Sequence, residues 1–110
     1  MNVTVEKVND VVVIDVPNES IDVANAVDFK RDLTNAFEDN ANVVMDLANV
    51  NFVDSAGLGT MVWAVKQLAS RGGDMRLCNV SGAVRSLFEL VRMHKLVSVF
   101  DTREDAIASF

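Results

Sequence analysis

Hydrophobic positions fall into short runs that change period along the chain. Val3, Val5 and Val8 alternate loosely with polar residues, Asn9-Asp10 follows as a turn pair, and Val11-Val12-Val13-Ile14-Asp15-Val16 reads as a second strand. Together they predict a hairpin at one edge of a sheet. Pro17-Asn18-Glu19-Ser20 breaks that strand, and the period then lengthens. Ala26, Phe29, Leu33, Ala36 and Phe37 recur at helical spacing, with Ser20 or Asp22 as the expected cap. Val43-Val44-Met45 is an apolar run, the mark of a buried strand, and that strand is expected from Val43 to Leu47. A second helical stripe, Leu58, Met61, Val62, Val65, Leu68 and Ala69, runs to about Ser70 and stops at Arg71-Gly72-Gly73. Met75 to Asn79 predicts another strand, and Ser81 caps a helix with Val84, Leu87, Phe88 and Val91 on one face. Leu96 to Phe100 is a last strand, and Asp101 or Thr102 caps a closing helix containing Ala106 and Ile107.

Strands that alternate with helices in this way imply a largely parallel sheet with right-handed crossovers. The expected fold is therefore α/β: a mixed, mostly parallel five-stranded sheet with the N-terminal hairpin at its edge, packed by about four helices. With no linker, repeat or low-complexity stretch, residues 1–110 read as one domain.

Composition narrows the function. Half the residues are hydrophobic and a quarter charged, and no apolar run approaches the roughly 20 residues of a membrane span. No signal peptide is visible, and the single cysteine, Cys78, fits a reducing compartment, so a cytoplasmic location is expected. Net charge is −6 and uneven: residues 1–55 carry three Lys/Arg against eleven Asp/Glu, residues 56–110 seven against five. An acidic half argues against nucleic acid and suits a partner with a basic surface, or simply keeps the chain soluble.

The chemistry concentrates at Val50-Asn51-Phe52-Val53-Asp54-Ser55-Ala56-Gly57-Leu58-Gly59-Thr60, where a strand-like run meets the second helix. Asp54 and Ser55 stand where that helix must begin and can cap its free N–H groups. Gly57 and Gly59 cost helix propensity in the first turns, which suggests that something comes close to the backbone. Ser55 can be a cap, a phosphorylation site or a nucleophile. The nucleophile lacks the G-x-S-x-G pattern, and His94 is the only histidine that could serve it as a base. As a phosphosite it is physically sensible, because a helix N-terminus tolerates an anion. Trp63 lies off the core stripe, on the flank with Ala56, Gly59 and Gln67; it either anchors a partner or packs against a neighbouring helix. Cys78 reads as a core residue, His94 as a surface cation near a helix end, and Asp46 as either an organiser of the motif loop or a solvent-facing acid. No Cys/His cluster or phosphate-binding loop is present, and no cofactor is expected.

Asp54-Ser55-Ala56-Gly57-Leu58-Gly59, preceded by Val44-Met45-Asp46-Leu47 and Val50-Asn51-Phe52-Val53, resembles the signature of the STAS domain, and most of all the bacterial anti-sigma factor antagonists. The likeness extends to Ile21-Asp22, Arg71-Gly72-Gly73-Asp74-Met75, Val84 to Leu90 and Asp101 to Ala106. It implies that Ser55 is phosphorylated by a partner that is both serine kinase and anti-sigma factor, that the unphosphorylated form binds this partner and frees the sigma factor, and that a metal-dependent serine phosphatase resets the switch. It also implies that Asp22 contacts the partner, with Asp54, Ala56, Gly57 and Gly59 expected around the phosphosite; Trp63 is a further contact candidate from its flank position alone. The chain would then be a substrate rather than an enzyme. Three departures stand out: Asn18-Glu19-Ser20-Ile21-Asp22 is one residue longer than the family's usual segment, Ala56 replaces a second hydroxyl, and Arg92 stands where glycine is usual. The alternatives are a STAS adaptor in a transport or signalling assembly with Ser55 unmodified, a small-molecule or nucleotide sensor holding an anion at the Ser55 helix, and, last, a serine hydrolase.

Overall fold

The computed structural model describes residues Met1–Phe110. β1 (Thr4–Val8) and β2 (Val11–Asp15) form an antiparallel hairpin, and Asn9 at its tip takes the left-handed conformation (φ 55°) that asparagine tolerates. β2 pairs in parallel with β4 (Asn42–Asp46), β4 with β6 (Asp74–Cys78), and β6 with β7 (Ser98–Phe100). The sheet order is β1-β2-β4-β6-β7, so the crossovers always advance in one direction. Right-handed connections then put α1 (Ala26–Phe37), α2 (Ser55–Ala69) and α3 (Gly82–Leu90) on the same face. The five-stranded mixed α/β sheet expected from the sequence is present.

Strand alternation divides the core. Val12, Ile14, Val43, Met45, Met75 and Leu77 face the three helices and pack with Phe29, Leu33, Met61, Leu68, Val84 and Phe88. Val11, Val13, Val44 and Cys78 point the other way, toward Ala106 of α4 (Arg103–Ala108). Polar side chains complete that second face. Asp46, almost fully buried, accepts from the Asn79 side chain (3.1 Å) and from Arg103 Nη2 (3.0 Å), while its other oxygen takes Ala48 N–H (3.0 Å). Arg103 also pairs with Asp15 and Glu6, which fixes the closing helix to the sheet. Asp46 does not face solvent, and it does not bond the motif loop either: its partners are Ala48, Asn79 and Arg103, so it anchors the closing helix instead.

Four expectations need correction. Neither Ser20 nor Asp22 caps α1: the helix starts at Ala26 behind Asn25, which makes no side-chain cap bond. Ser20–Ile21 is instead a short strand, β3, paired in parallel with β5 (Phe52–Val53), a second small sheet that two-residue segments give no periodicity to reveal. The buried stripe of α2 is rotated from the expected one. Gly57, Thr60, Met61, Ala64, Val65 and Leu68 are buried, Leu58 and Val62 half-buried, and Ala69 exposed. Flanked by α1 and α3, α2 uses small residues to sit close to its neighbours, which hydropathy alone does not weight. Finally, Val91 and Leu96 are exposed, because a short 3-10 turn (Met93–Lys95) lies between α3 and β7 and buries Met93 in their place.

α2 ends as its glycines required. Gly72 takes a positive φ of 76°, and Gly73 N–H donates back to Leu68 O at 2.9 Å. No helix is long and apolar enough to cross a membrane.

Candidate functional site

The site is built where β3, β5 and the start of α2 meet. Asp54 is the N-cap: its extended backbone leaves β5, and its Oδ1 accepts Gly57 N–H at 2.9 Å. Its Oδ2 accepts Val23 N–H at 2.9 Å, from the segment that leads into α1. Its own N–H donates to Ile21 O at 3.2 Å. One carboxylate therefore ties the α2 start to the turn before α1. These N–H donors, Gly57 foremost, with Val23 and Ala56 behind it, hold the Asp54 carboxyl below the ordinary range against a smaller opposing effect of burial.

Ser55 follows as the first helical residue and is exposed. No other group of the chain takes up its hydroxyl. The division of labour that adjacency left open is thus resolved: Asp54 caps, and Ser55 is left free.

The two glycines have different causes. A Cβ on Gly57 would lie 2.3 Å from Ile21 O and 2.9 Å from Val53 Cγ1, so the close approach is between α2 and the chain's own β3 backbone. A Cβ on Gly59 would meet nothing within 4 Å. Gly59 is exposed one turn beyond Ser55 on the same helical face and keeps that face flat. Ala56, half-buried, contributes its carbonyl to the Thr60 hydroxyl at 3.2 Å.

Asp22 sits across from Asp54 in a tight turn. Its carboxylate accepts from Ser20 Oγ (2.9 Å) and Ala24 N–H (3.0 Å), its carbonyl from Asn25 and Ala26 N–H, and its own N–H donates to Asn25 Oδ1 (3.0 Å). Such local side-chain bonds compete with helix and explain why α1 starts four residues later. Asp22 is half-buried and partly committed to this turn, yet it remains at the rim of the site.

Trp63 stands apart from this group. Its ring stacks on Phe37 of α1 (centroids 6.4 Å apart), with Lys30 Nζ 4.7 Å above it. Its surroundings support the packing reading over the anchoring one.

Three residues that the sequence did not single out complete the face. Val23, Val27 and Phe52 are large apolar side chains left exposed, Val23 by 76%. Strand alternation already put Phe52 outward once Val53 is inward, and Val27 is off the Ala26-Phe29-Leu33 stripe. Around an exposed serine they form a patch of the kind that a protein partner covers.

Comparisons with known proteins converge on this region's architecture. A family model of the STAS domain matches residues 2–106. The anti-sigma-B factor antagonist of Bacillus subtilis is 26% identical over 107 residues, 97% of each chain. The anti-sigma F factor antagonist of Paenibacillus polymyxa is 30% identical over 66 residues, 60% of this chain and 56% of that protein. A crystal structure of a Thermotoga maritima protein, provisionally described as an anti-sigma factor antagonist, superposes with a TM-score of 0.90 at 27% identity, covering 97% of this chain and 92% of the other.

Proposed function

The chain belongs to the STAS domain family, and from that premise we propose that it is an anti-sigma factor antagonist controlled by phosphorylation of Ser55. The unmodified face around Ser55 binds an anti-sigma factor that is itself a serine kinase, and the sigma factor held by that protein is set free. The kinase then transfers a phosphoryl group to Ser55 and the complex parts. A metal-dependent serine phosphatase restores the hydroxyl. The cycle runs in the cytoplasm, and this chain is its substrate, not its catalyst.

The observation that carries the reading is the free, exposed Ser55 hydroxyl on a helix start that Asp54 holds rigid from two sides. The names of relatives matched over nearly the full chain agree with it. In the transfer, the Ser55 oxygen bonds to the terminal phosphorus of the kinase's nucleotide, its proton passes to a base on the kinase, and the nucleoside diphosphate leaves. This chain needs only to present the oxygen in line. Gly59 leaves room above the helix for the kinase to approach, and Asp22, Ala56, Val23 and Phe52 border the approach.

Release follows from charge. A phosphate adds about −1.5 to −2 charges. Asp54 already takes the Gly57 N–H, so the new anion stands directly beside a carboxylate. Repulsion and the cost of burying both charges under a partner then weaken binding while the fold is unchanged. The test is incubation of the chain with its cognate kinase and magnesium nucleotide. Phosphoryl on Ser55 that is absent in Ser55→Ala supports the reading; a kinase that binds the chain and leaves Ser55 unmodified overturns it.

A further inference from the structure

We propose that a second surface, at the far end of α3, takes the face around Ser55 of another copy of this chain. Of the eight large apolar side chains left exposed, Val5 and Phe110 stand elsewhere and six fall into two groups. Val23, Val27 and Phe52 gather beside Ser55, and Leu90, Val91 and Leu96 gather where α3 gives way to the 3-10 turn. Leu90 is 81% exposed. These latter residues are held outward by a fixed backbone. Arg92 N–H donates to Glu89 O (3.1 Å), Lys95 N–H to Arg92 O (3.1 Å) and Leu96 N–H to Met93 O (2.9 Å), and Met93 alone turns inward. Arg92 takes a left-handed φ of 62° to make this corner, a conformation unfavourable for a side-chain-bearing residue.

Charge distinguishes the two patches and fits them to one another. The patch beside Ser55 is bordered by Glu19, Asp22, Asp28 and Asp54, of which Asp28 is partly neutralised by Arg31 at 3.3 Å. The α3 patch carries the exposed cations Arg92 and Lys95, with Glu89 as the one acid beside it. Apolar groups framed by acids can therefore meet apolar groups framed by cations. The two patches cannot meet within one molecule. Ser55 begins α2 at the C-terminal end of the parallel strands, whereas Leu90 ends α3 at their opposite end. The complement of each patch is found on a second copy.

Association of this kind covers Ser55, so self-association and access to a kinase exclude one another. That consequence rests on the proposed function; the association itself does not.

Sedimentation of the full chain over a concentration series up to about 1 mM, at ~0.15 M salt where the overall repulsion is screened beyond about 8 Å, tests it. Wild type is expected to show reversible, concentration-dependent association. Arg92→Glu with Lys95→Glu makes both patches acidic, and Glu19→Lys with Asp28→Lys removes the acidic excess of the Ser55 face. Each double variant alone is expected to associate at least about tenfold more weakly. In an equal mixture the unchanged Ser55 face of the first variant meets the unchanged α3 patch of the second, and association is expected to recover. Leu90→Ser, at a side chain that packs on nothing, weakens association without touching a charge and covers the case of a double variant that fails to fold. Wild type that is monomeric throughout, variants that associate as wild type does, a mixture that fails to recover, or an α3 patch that instead binds phosphatidylserine vesicles would each overturn the proposal.

Discussion

Gly57 and Gly59 lie two residues apart in one helix, and the structure assigns opposite outcomes to the same substitution. Gly59→Ala adds a methyl to a position with nothing within 4 Å and an ordinary helical backbone. It gains the full difference in helix propensity, about 1 kcal/mol. For a chain of 110 residues that raises Tm by about 4 °C. Gly57→Ala gains the same propensity but drives its methyl to 2.3 Å from the Ile21 carbonyl oxygen. That atom is backbone, so no rotamer change relieves the contact; α2 and β3 must separate, and the Asp54 bonds to Ile21 and Val23 stretch with them. Overpacking of this kind costs about 2 to 3 kcal/mol, for a net loss of about 1 to 2 kcal/mol and a Tm lower by about 4 to 8 °C. Thermal unfolding followed by circular dichroism reads both values. Gly59→Ala should also weaken binding of the anti-sigma factor by about tenfold or more, because its methyl stands one turn from Ser55 on the face the partner covers. Stabilisation by both substitutions, or loss from both, would refute the assignment of Gly57 to packing and Gly59 to access.

Other outcomes follow from particular contacts. Ser55→Asp should abolish most partner affinity, measured by calorimetry, while Tm moves little, because an exposed helix start accepts a negative charge. A large drop in Tm would make Ser55 structural. Arg92→Gly removes a side chain from a left-handed position and should raise stability by about 1 kcal/mol; an unchanged or lower denaturant midpoint contradicts the strain argument. Arg103→Ala leaves Asp46 buried beside Asp15 without its cation and should cost about 2 to 4 kcal/mol; a loss below about 1 kcal/mol would mean the cluster is effectively solvated. The Cys78 thiol is pushed up to about 12, chiefly by burial, from an ordinary 9.0. The folded chain therefore keeps its proton where the unfolded chain gives it up, so this group lowers stability as pH rises from 9 toward 12. A thiol reagent at pH 8 should modify Cys78 only as fast as the chain unfolds, and rapid reaction of the native protein contradicts this.

The sheet was legible because its strands carry long-range instructions in short runs. Val43 to Met45 must be buried on both faces, and alternation in Val11 to Ile14 supplies two residues to each core. β3 and β5 were not, since two residues have no period and their pairing depends on a partner thirty-two residues away. The site was partly legible. Adjacent Asp54 and Ser55 both qualify as caps, and only the position of Val23 N–H decides that Asp54 serves. Gly57 announced a close approach without saying that Ile21 was what approached. That Val23, Val27 and Phe52 share one patch carried no signal, because single exposed apolar residues are ordinary until the fold gathers them.

The central claim is that the Ser55 oxygen is the atom on which the switch turns. Peptide mass spectrometry of the chain purified from its own cells reads this directly. The account predicts two populations of the Ser55 peptide, one bearing a single phosphoryl group on that serine, in proportions that change with growth condition. A phosphoryl group found only on another residue, or a Ser55 peptide unmodified under every condition, contradicts it.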